Sequence, residues 1–250
     1  MKEIYLGLPA YNEEASIKPL FTRVESLQKK IPEKIYVMVY DDGCIDNTRD
    51  EVKAWESRLS IIYLDGQVNK GLGAGMSALM AEFANRGKSD DVLVVMDCDD
   101  THDPEQISSM LKVLENKPTT DVVIASRYRL GATISGVPFY RVVLSIGAAM
   151  LYKMVHPIWN VRDYTCGYRA YRLAVVQRAF AKYGDPLLNE RGFACMVELL
   201  LKIARAGANV QEIPLALAYD NKLSASKMDV SGNAFRLLKK LITWRVKGLV

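Results

Sequence analysis

Five apolar residues, Val92-Leu93-Val94-Val95-Met96, end on two carboxylates one residue apart, Asp97-Cys98-Asp99. An unpaired carboxylate in an apolar core is very unfavourable, so a buried strand has to stop before this pair. The pair therefore belongs at the carboxyl end of a strand, where open α/β sheets hold their ligands. Two hard oxygen donors at such an edge suit Mg2+ or Mn2+ bridging to a diphosphate. The plainer reading of the same residues is a strand-to-helix loop, with one Asp capping the helix that starts near Pro104.

The strand is one of a series. Ile4–Leu8, Ile35–Tyr40, Ile61–Leu64, Val92–Met96 and Val122–Ala125 are short β-rich runs. Between them Glu14–Lys30, Asn47–Ser57, Gly73–Asn85 and Pro104–Glu115 have helical spacing. Such alternation predicts a mostly parallel sheet covered on both faces, an α/β fold of Rossmann-like type. Four strands end in polar or turn residues: Pro9-Ala10-Tyr11-Asn12-Glu13, Asp41-Asp42-Gly43, Asp97-Cys98-Asp99 and Ser126-Arg127-Tyr128. In a parallel sheet these share one edge, which is the expected active site.

The second half changes character. Tyr140–Val155 is a long apolar segment and Arg162–Arg172 is polar and turn-rich. Phe193–Ala206 has helical spacing, with Glu198 and Lys202 four apart; Val210–Pro214 reads as one more strand and Tyr219–Lys227 as a polar loop. Ala234–Leu249 carries Phe235, Leu238, Leu241, Ile242 and Leu249 on one broad face and five cations with no acid. That pattern suits an anionic membrane surface; its other reading is a helix packed on the domain with a solvated charged face. The expected division is a catalytic domain over 1–228 and a basic amphipathic helix over 229–250.

With 250 residues, half of them hydrophobic, the chain can build one substantial core. Its four Cys are scattered, without metal-type spacing, and read as reduced thiols of a cytosolic protein. A strand pattern begins at the N-terminus with no signal peptide before it, and Val142–Met154, broken by Ser145 and Lys153, falls short of a membrane span.

In order along the chain come Pro9-Ala10-Tyr11-Asn12-Glu13-Glu14, Asp41-Asp42-Gly43-Cys44-Ile45-Asp46-Asn47-Thr48, and Asn69-Lys70-Gly71-Leu72-Gly73-Ala74-Gly75. Asp97-Cys98-Asp99, Ser126-Arg127-Tyr128, Asp163-Tyr164-Thr165-Cys166-Gly167-Tyr168-Arg169 and Ser226-Lys227 follow. From Pro9 to Lys227 this series resembles the family 2, type A glycosyltransferases, and more narrowly the dolichyl- and polyprenyl-phosphate mannose or glucose synthases. The resemblance implies a nucleotide-sugar site built from Pro9, Ala10, Tyr11, Glu13, Asp42, Lys70, Gly71, Asp97, Cys98, Asp99 and Lys227. It implies Asp97 and Asp99 as ligands of Mg2+ or Mn2+. His102, close by, reads as a loop or capping residue, since hard-cation sites favour oxygen.

The family's Glu-Asp pair for deprotonating a hydroxyl acceptor is missing; Arg162-Asp163-Tyr164 stands there instead. A phosphate monoester needs less help, because its second pKa is about 6 and it is largely dianionic at neutral pH. It needs cations, and Arg127 is one. Arg141 and Ser145, four apart on one helix face, match positions the family uses for a lipid phosphate. Asp163 keeps three readings: orienting the acceptor, acting as base, or pairing with Arg169. One departure concerns donor-loop closure: the family's Arg six residues before Lys227 is Asn221 here, with Lys222 beside it.

The reading is a metal-dependent, inverting hexosyltransferase. It moves a sugar from a GDP-mannose- or UDP-glucose-type donor to a lipid phosphate, peripherally at the cytosolic membrane face. There is room for a separate membrane-spanning subunit, and no nucleic-acid partner is expected. The alternatives are the same donor chemistry with a hydroxyl acceptor, and a non-catalytic nucleotide-sugar binder at the membrane.

Overall fold

The computed structural model describes residues 2–136, 139–221 and 240–245, with backbone alone for 139–144 and 221. β1 (Glu3–Ala10), β2 (Lys34–Asp41), β3 (Ser60–Asp65) and β4 (Val92–Val95) are connected by α1 (Glu14–Gln28), α2 (Thr48–Lys53) and α3 (Leu72–Arg86). After β4 come α4 (Gln106–Asn116), β5 (Val122–Ser126), the short β6 (Thr133–Ser135) and α5 (Phe139–Val155). β7 (Arg169–Arg172), α6 (Leu173–Tyr183), α7 (Ala194–Arg205), β8 (Val210–Pro214) and β9 (Ala216–Ala218) complete the set. A seven-stranded sheet runs in the order β3-β2-β1-β4-β7-β5-β8, and β6 pairs with β9 in a small parallel sheet beside it.

Consecutive positions of β4 and β5 are all buried, as expected for strands covered on both faces. α1 turns Ile17, Leu20, Phe21, Val24 and Leu27 inward, and α4 does so with Ile107, Met110, Leu111 and Leu114, both at helical spacing. α3, α6 and α7 pack together, and a Cβ on Gly7 of β1 would touch Leu79 of α3.

The strands expected from β-rich runs are all present, each shifted by a residue or two at most. Three strands were not expected: the short β6 and β9, which pair with each other, and β7 of the main sheet. β7 lies antiparallel between β4 and β5, inside the segment read as polar and turn-rich. Arginines at both ends of Arg169-Ala170-Tyr171-Arg172 disguise it. Three apart on a strand, they point to opposite faces. Arg169, fully buried, donates to the Met196 and Tyr164 carbonyls, while Arg172 donates to Thr120 and Leu114. Main-chain oxygens thus hold cations that the sequence pattern marks as exposed, although the buried Arg169 Nε has no hydrogen-bond partner among the described residues. The parallel strands β1, β2, β4 and β5 bring their carboxyl ends to one edge, and antiparallel β7 brings its amino end, with the 163–168 segment before it, to that same edge.

Candidate active site

At the β1–β2 end of this edge the acids are held by main-chain N–H groups. Asp42 accepts from the N–H of Lys70 (2.7 Å) and of Gly71 (2.9 Å), and its own N–H donates to the Ala10 carbonyl (2.9 Å). The loop after β1 and the glycine-rich turn before α3 are thereby locked to the end of β2. The neighbouring Asp41 points elsewhere, accepting from the Cys44 N–H (2.7 Å) and the Tyr63 hydroxyl. Burial alone would raise its pKa, but those two donors outweigh burial and hold it low. Gly43 and Gly71 have φ of +72° and +90°, where a side chain would be strained.

The loop after β1 is stitched down as well. Asn12 Oδ1 accepts from Ile45 N–H (2.8 Å), and Glu13 N–H donates to Thr48 Oγ1 (2.7 Å). Glu13 is buried, whereas Tyr11 is 36% exposed at the rim. Pro9 and Ala10 close β1, pairing in register with Tyr40 and Asp41. Lys70 is exposed. Burial pushes the Cys44 thiol up to about 12, and that of Cys98 well above its ordinary value, so neither supplies a thiolate at neutral pH.

At the centre of the edge, the Asp97 side chain is 42% exposed and Asp99 is buried. The Thr101 hydroxyl donates to Asp99 Oδ1 (2.7 Å). Asp100 takes φ +60°, and Arg23 fastens the turn by donating to Asp100 Oδ1 (2.7 Å) and Asp103 Oδ1 (3.0 Å). His102 is buried against the Tyr168 ring, and its Nδ1 accepts the Asp97 N–H (3.3 Å). That nitrogen organises the loop and does not face a cation. Among the described residues no group of three or more His, Cys, Asp and Glu is arranged to hold a metal ion. Two carboxylates from Asp97 and Asp99 nonetheless fit a Mg2+-type ion, which characteristically takes one or two carboxylates and fills its shell with phosphate oxygens and water. Cys98, buried between them, is not such a donor.

The third part of the edge is built around Arg127, just past β5. Its Nε and Nη2 donate to the two oxygens of Asp163 (2.8 and 2.7 Å), and Nη2 also reaches Thr165 Oγ1 (2.5 Å). Asp163, fully buried, further accepts the N–H groups of Arg127, Thr165 and Cys166. Burial would raise the Asp163 pKa, but the guanidinium and these N–H groups hold it below the usual carboxylate range. Asp163 therefore pairs with Arg127. The pairing with Arg169 that the sequence left open is not formed, since Arg169 is engaged by carbonyls of Tyr164 and Met196. Ser145 on α5 comes to the same place, its Oγ 2.6 Å from the Tyr128 hydroxyl. Arg141 lies one turn before Ser145 on α5, placed by its backbone alone. Lys227, with Lys222, lies outside the described residues. Gly167 ties the 163–168 segment to the centre: a Cβ there would sit 3.4 Å from Asp97 Oδ1.

Two buried acids were not singled out from sequence. Glu212 of β8 accepts the N–H groups of Arg162 (2.7 Å) and Asp163 (2.8 Å) and so presents Asp163 to Arg127. Its signal was an acid inside the apolar run Val210–Pro214. Glu198 of α7 holds the backbone of Asn189 and Glu190. Its spacing from Lys202 was visible, but not that both are buried.

Three comparisons bear on what this edge is. The chain is 30% identical over 245 residues to polyprenol monophosphomannose synthase of Mycolicibacterium smegmatis, covering 96% of this chain and 86% of the relative. It is 32% identical over 223 residues to undecaprenyl-phosphate mannosyltransferase of Micrococcus luteus, covering 88% and 85%. Among solved structures, glucosyl-3-phosphoglycerate synthase from Mycobacterium tuberculosis, in complex with Mn2+ and UDP-glucose, superposes with a TM-score of 0.68. That match is 20% identical and covers 98% of this chain and 79% of the other; it speaks to the type A fold. The family model described as Glycosyl transferase family 2 matches residues 5–180, from within β1 through β7 and into α6, and the chain is therefore a member of that glycosyltransferase family.

Proposed function

We propose that this enzyme transfers a hexose, with inversion, from a nucleotide-diphosphate sugar of GDP-mannose or UDP-glucose type to a polyprenyl phosphate. The observation that carries this reading is Arg127. It is a half-buried guanidinium held in one orientation by a carboxylate that is itself fixed by three main-chain N–H groups, beside Ser145 and next to the segment that approaches Asp97. Asp163 and Thr165 leave its Nη1 over for an incoming anion. Two relatives named for mannosyl transfer to lipid phosphates support the acceptor class and favour a mannose donor.

The donor would lie along the β1–β2 end, with base and ribose against the Pro9–Glu13 loop and Asp42, and its diphosphate toward Asp97 and Asp99. A divalent cation on those two carboxylates would supply charge neutralisation for the leaving diphosphate. Arg127 and Ser145, joined by Arg141, would orient the acceptor phosphate on the opposite side of the sugar. A phosphate oxygen forms the bond to the anomeric carbon as the bond to the diphosphate breaks, and the nucleoside diphosphate departs with the electron pair. No proton has to be removed, because the phosphate is already dianionic. A hydroxyl acceptor would need a positioned base, and Asp163, fully engaged and with a lowered pKa, is poorly suited to that task.

Membrane contact belongs to the same reading. Ile146, Met150 and Met154 recur every fourth residue of α5 and are exposed, Met154 by 70%, and Trp159 just beyond it by 86%. Among the described residues no helix is long and apolar enough to cross a membrane, so the proposed contact is peripheral, at the cytosolic face. Of the C-terminal segment over 229–250, the described residues 240–245 pack on the domain, with Leu241 and Trp244 buried in its core and Lys240 paired with Glu190; the cations of the segment would add electrostatic attraction to anionic lipid.

The test is a radiolabelled donor offered with polyprenyl phosphate or with a sugar acceptor. The expected product extracts into organic solvent and is cleaved by mild acid. Asp99→Ala should lower transfer by about a thousandfold or more while the fold is retained. An acid-stable product, or turnover retained in Asp99→Ala, would refute the reading.

A further inference from the structure

Behind the nucleotide end of the edge, α7 carries an ion pair with no contact to that edge. Glu198 and Lys202 are 2% and 1% exposed and 2.8 Å apart. Lys202 donates to the Leu187 carbonyl (2.9 Å) and lies over the Tyr183 ring. Glu198 accepts the N–H groups of Asn189 (3.1 Å) and Glu190 (2.9 Å). The pair thus grips three successive points of the 187–191 strap. The strap in turn grips the glycine-rich turn. The Arg191 carbonyl accepts the Gly73 N–H (3.1 Å), and the Arg191 guanidinium donates to the carbonyls of Lys70 (3.0 Å) and Asn69 (3.2 Å). Contact is close enough to demand glycine: a Cβ on Gly73 would fall 1.7 Å from the Glu190 carbonyl oxygen, and one on Gly71 2.5 Å from that of Arg191. The far side of this turn presents the Lys70 and Gly71 N–H groups that hold Asp42.

We propose that Glu198, with Lys202, is a positioning residue for the donor nucleotide, acting through the 187–191 strap and the Gly71–Gly73 turn on the carboxylate of Asp42. The proposal rests on the reading of Asp42 as a nucleotide contact. A buried ion pair is weak evidence for stability, since a well-packed apolar pair of similar volume often serves as well. What the apolar pair would not do is accept two main-chain N–H groups and fix the strap's register. A displacement of the turn by a fraction of an ångström moves Asp42, and misplacements of about 1 Å in a site cost up to about a hundredfold.

The experiment compares the unsubstituted protein with Glu198→Leu/Lys202→Met and with Glu198→Gln, which keeps one acceptor oxygen. GDP and UDP binding is measured by calorimetry, KM for donor and acceptor and kcat by the transfer assay, and folding by thermal denaturation. In the double variant, nucleotide affinity and donor KM should worsen about tenfold with acceptor KM nearly unchanged, and the melting temperature should fall because the Asn189 and Glu190 N–H groups lose their acceptor. Glu198→Gln should fall between the two. A folded variant of either kind that keeps nucleotide affinity within twofold overturns the proposal, as does an equal rise in both KM values. If the double variant fails to fold, Glu198→Gln decides by the same two criteria. Failure of the unsubstituted protein to bind either nucleotide overturns the donor reading itself, and is recognised because no substitution is involved.

Discussion

The two ends of the catalytic edge hold their acids in opposite ways. At the β1–β2 end, Asp42 is oriented by the N–H groups of Lys70 and Gly71, and Asp41 by an N–H and a tyrosine hydroxyl. Such donors are neutral: they fix a carboxylate without cancelling its charge. At the β5–β7 end, Asp163 faces a guanidinium across two parallel hydrogen bonds, so each charge cancels the other. The first arrangement keeps an acidic edge, to which an anionic diphosphate comes only with a cation. The second pins a guanidinium in a fixed pose with its charge balanced by Asp163, so that under the proposed reading an acceptor anion would meet an oriented hydrogen-bond donor and not a free cation. The halves differ in energetics too. A main-chain N–H is always present, while the acceptor half depends on two side chains that must both be there.

That dependence sets the largest expected effect. Arg127→Met leaves Asp163 buried without its counter-charge, and breaking a buried pair in this way costs about 3–5 kcal/mol. Asp97→Asn, at a 42% exposed side chain, should change stability by no more than about 0.5 kcal/mol. Both should lose transfer. Urea denaturation therefore separates the halves where activity does not, and equal midpoints for the two variants would erase the distinction.

The donor half is vulnerable through its backbone. Gly73→Ala forces a methyl into the Glu190 carbonyl and should cost about 1–3 kcal/mol, with donor KM rising and acceptor KM unaffected. Asp42→Asn is milder. The amide oxygen still takes one N–H, but its NH2 group is set against the other, for a loss of about 1 kcal/mol and weaker nucleotide binding by calorimetry.

How much of this was legible beforehand follows the same division. β2 and β4 are apolar runs ended by acids, and their ends, Asp42 and Asp97, could be assigned to the edge from pattern alone. The hydrogen bonds there join positions 28 to 35 apart, so the strand ends were legible but the partners that hold them were not. The acceptor half is assembled from distant pieces. β7 reads as polar because Arg169 and Arg172 are satisfied by carbonyls from α7 and α4, partners no spacing announces. Arg127 and Asp163 are 36 positions apart, and nothing in either motif names the other. Glu198 and Lys202 show the limit from another side. Their four-residue spacing is that of a solvated helix face, and only the burial of α7 on α3 and α6 makes it an internal clamp.

The smallest effect is one of pH, and it sets two acids of the acceptor half against each other. Asp163 has a folded pKa below its unfolded value, so its stabilisation is present above the ordinary carboxylate range and is lost as pH falls through the folded value. Glu212 is the reverse. Burial pushes its carboxyl up, the N–H groups of Asp163 and Arg162 offset only part of this, and the Asp163 charge adds to the rise. Its contribution is full below the ordinary glutamate range and declines as pH rises through the raised folded value. Gln at 212 reproduces the protonated acid, with an oxygen for the same two N–H groups and no charge facing Asp163. Glu212→Gln should therefore match the unsubstituted protein near pH 4 and exceed it near pH 7, by less than about 1 kcal/mol. Urea midpoints at the two pH values measure the difference. A variant less stable at pH 7 than at pH 4, relative to the unsubstituted protein, would mean that Glu212 is held as a carboxylate. The acceptor half would then carry two buried negative charges on one guanidinium.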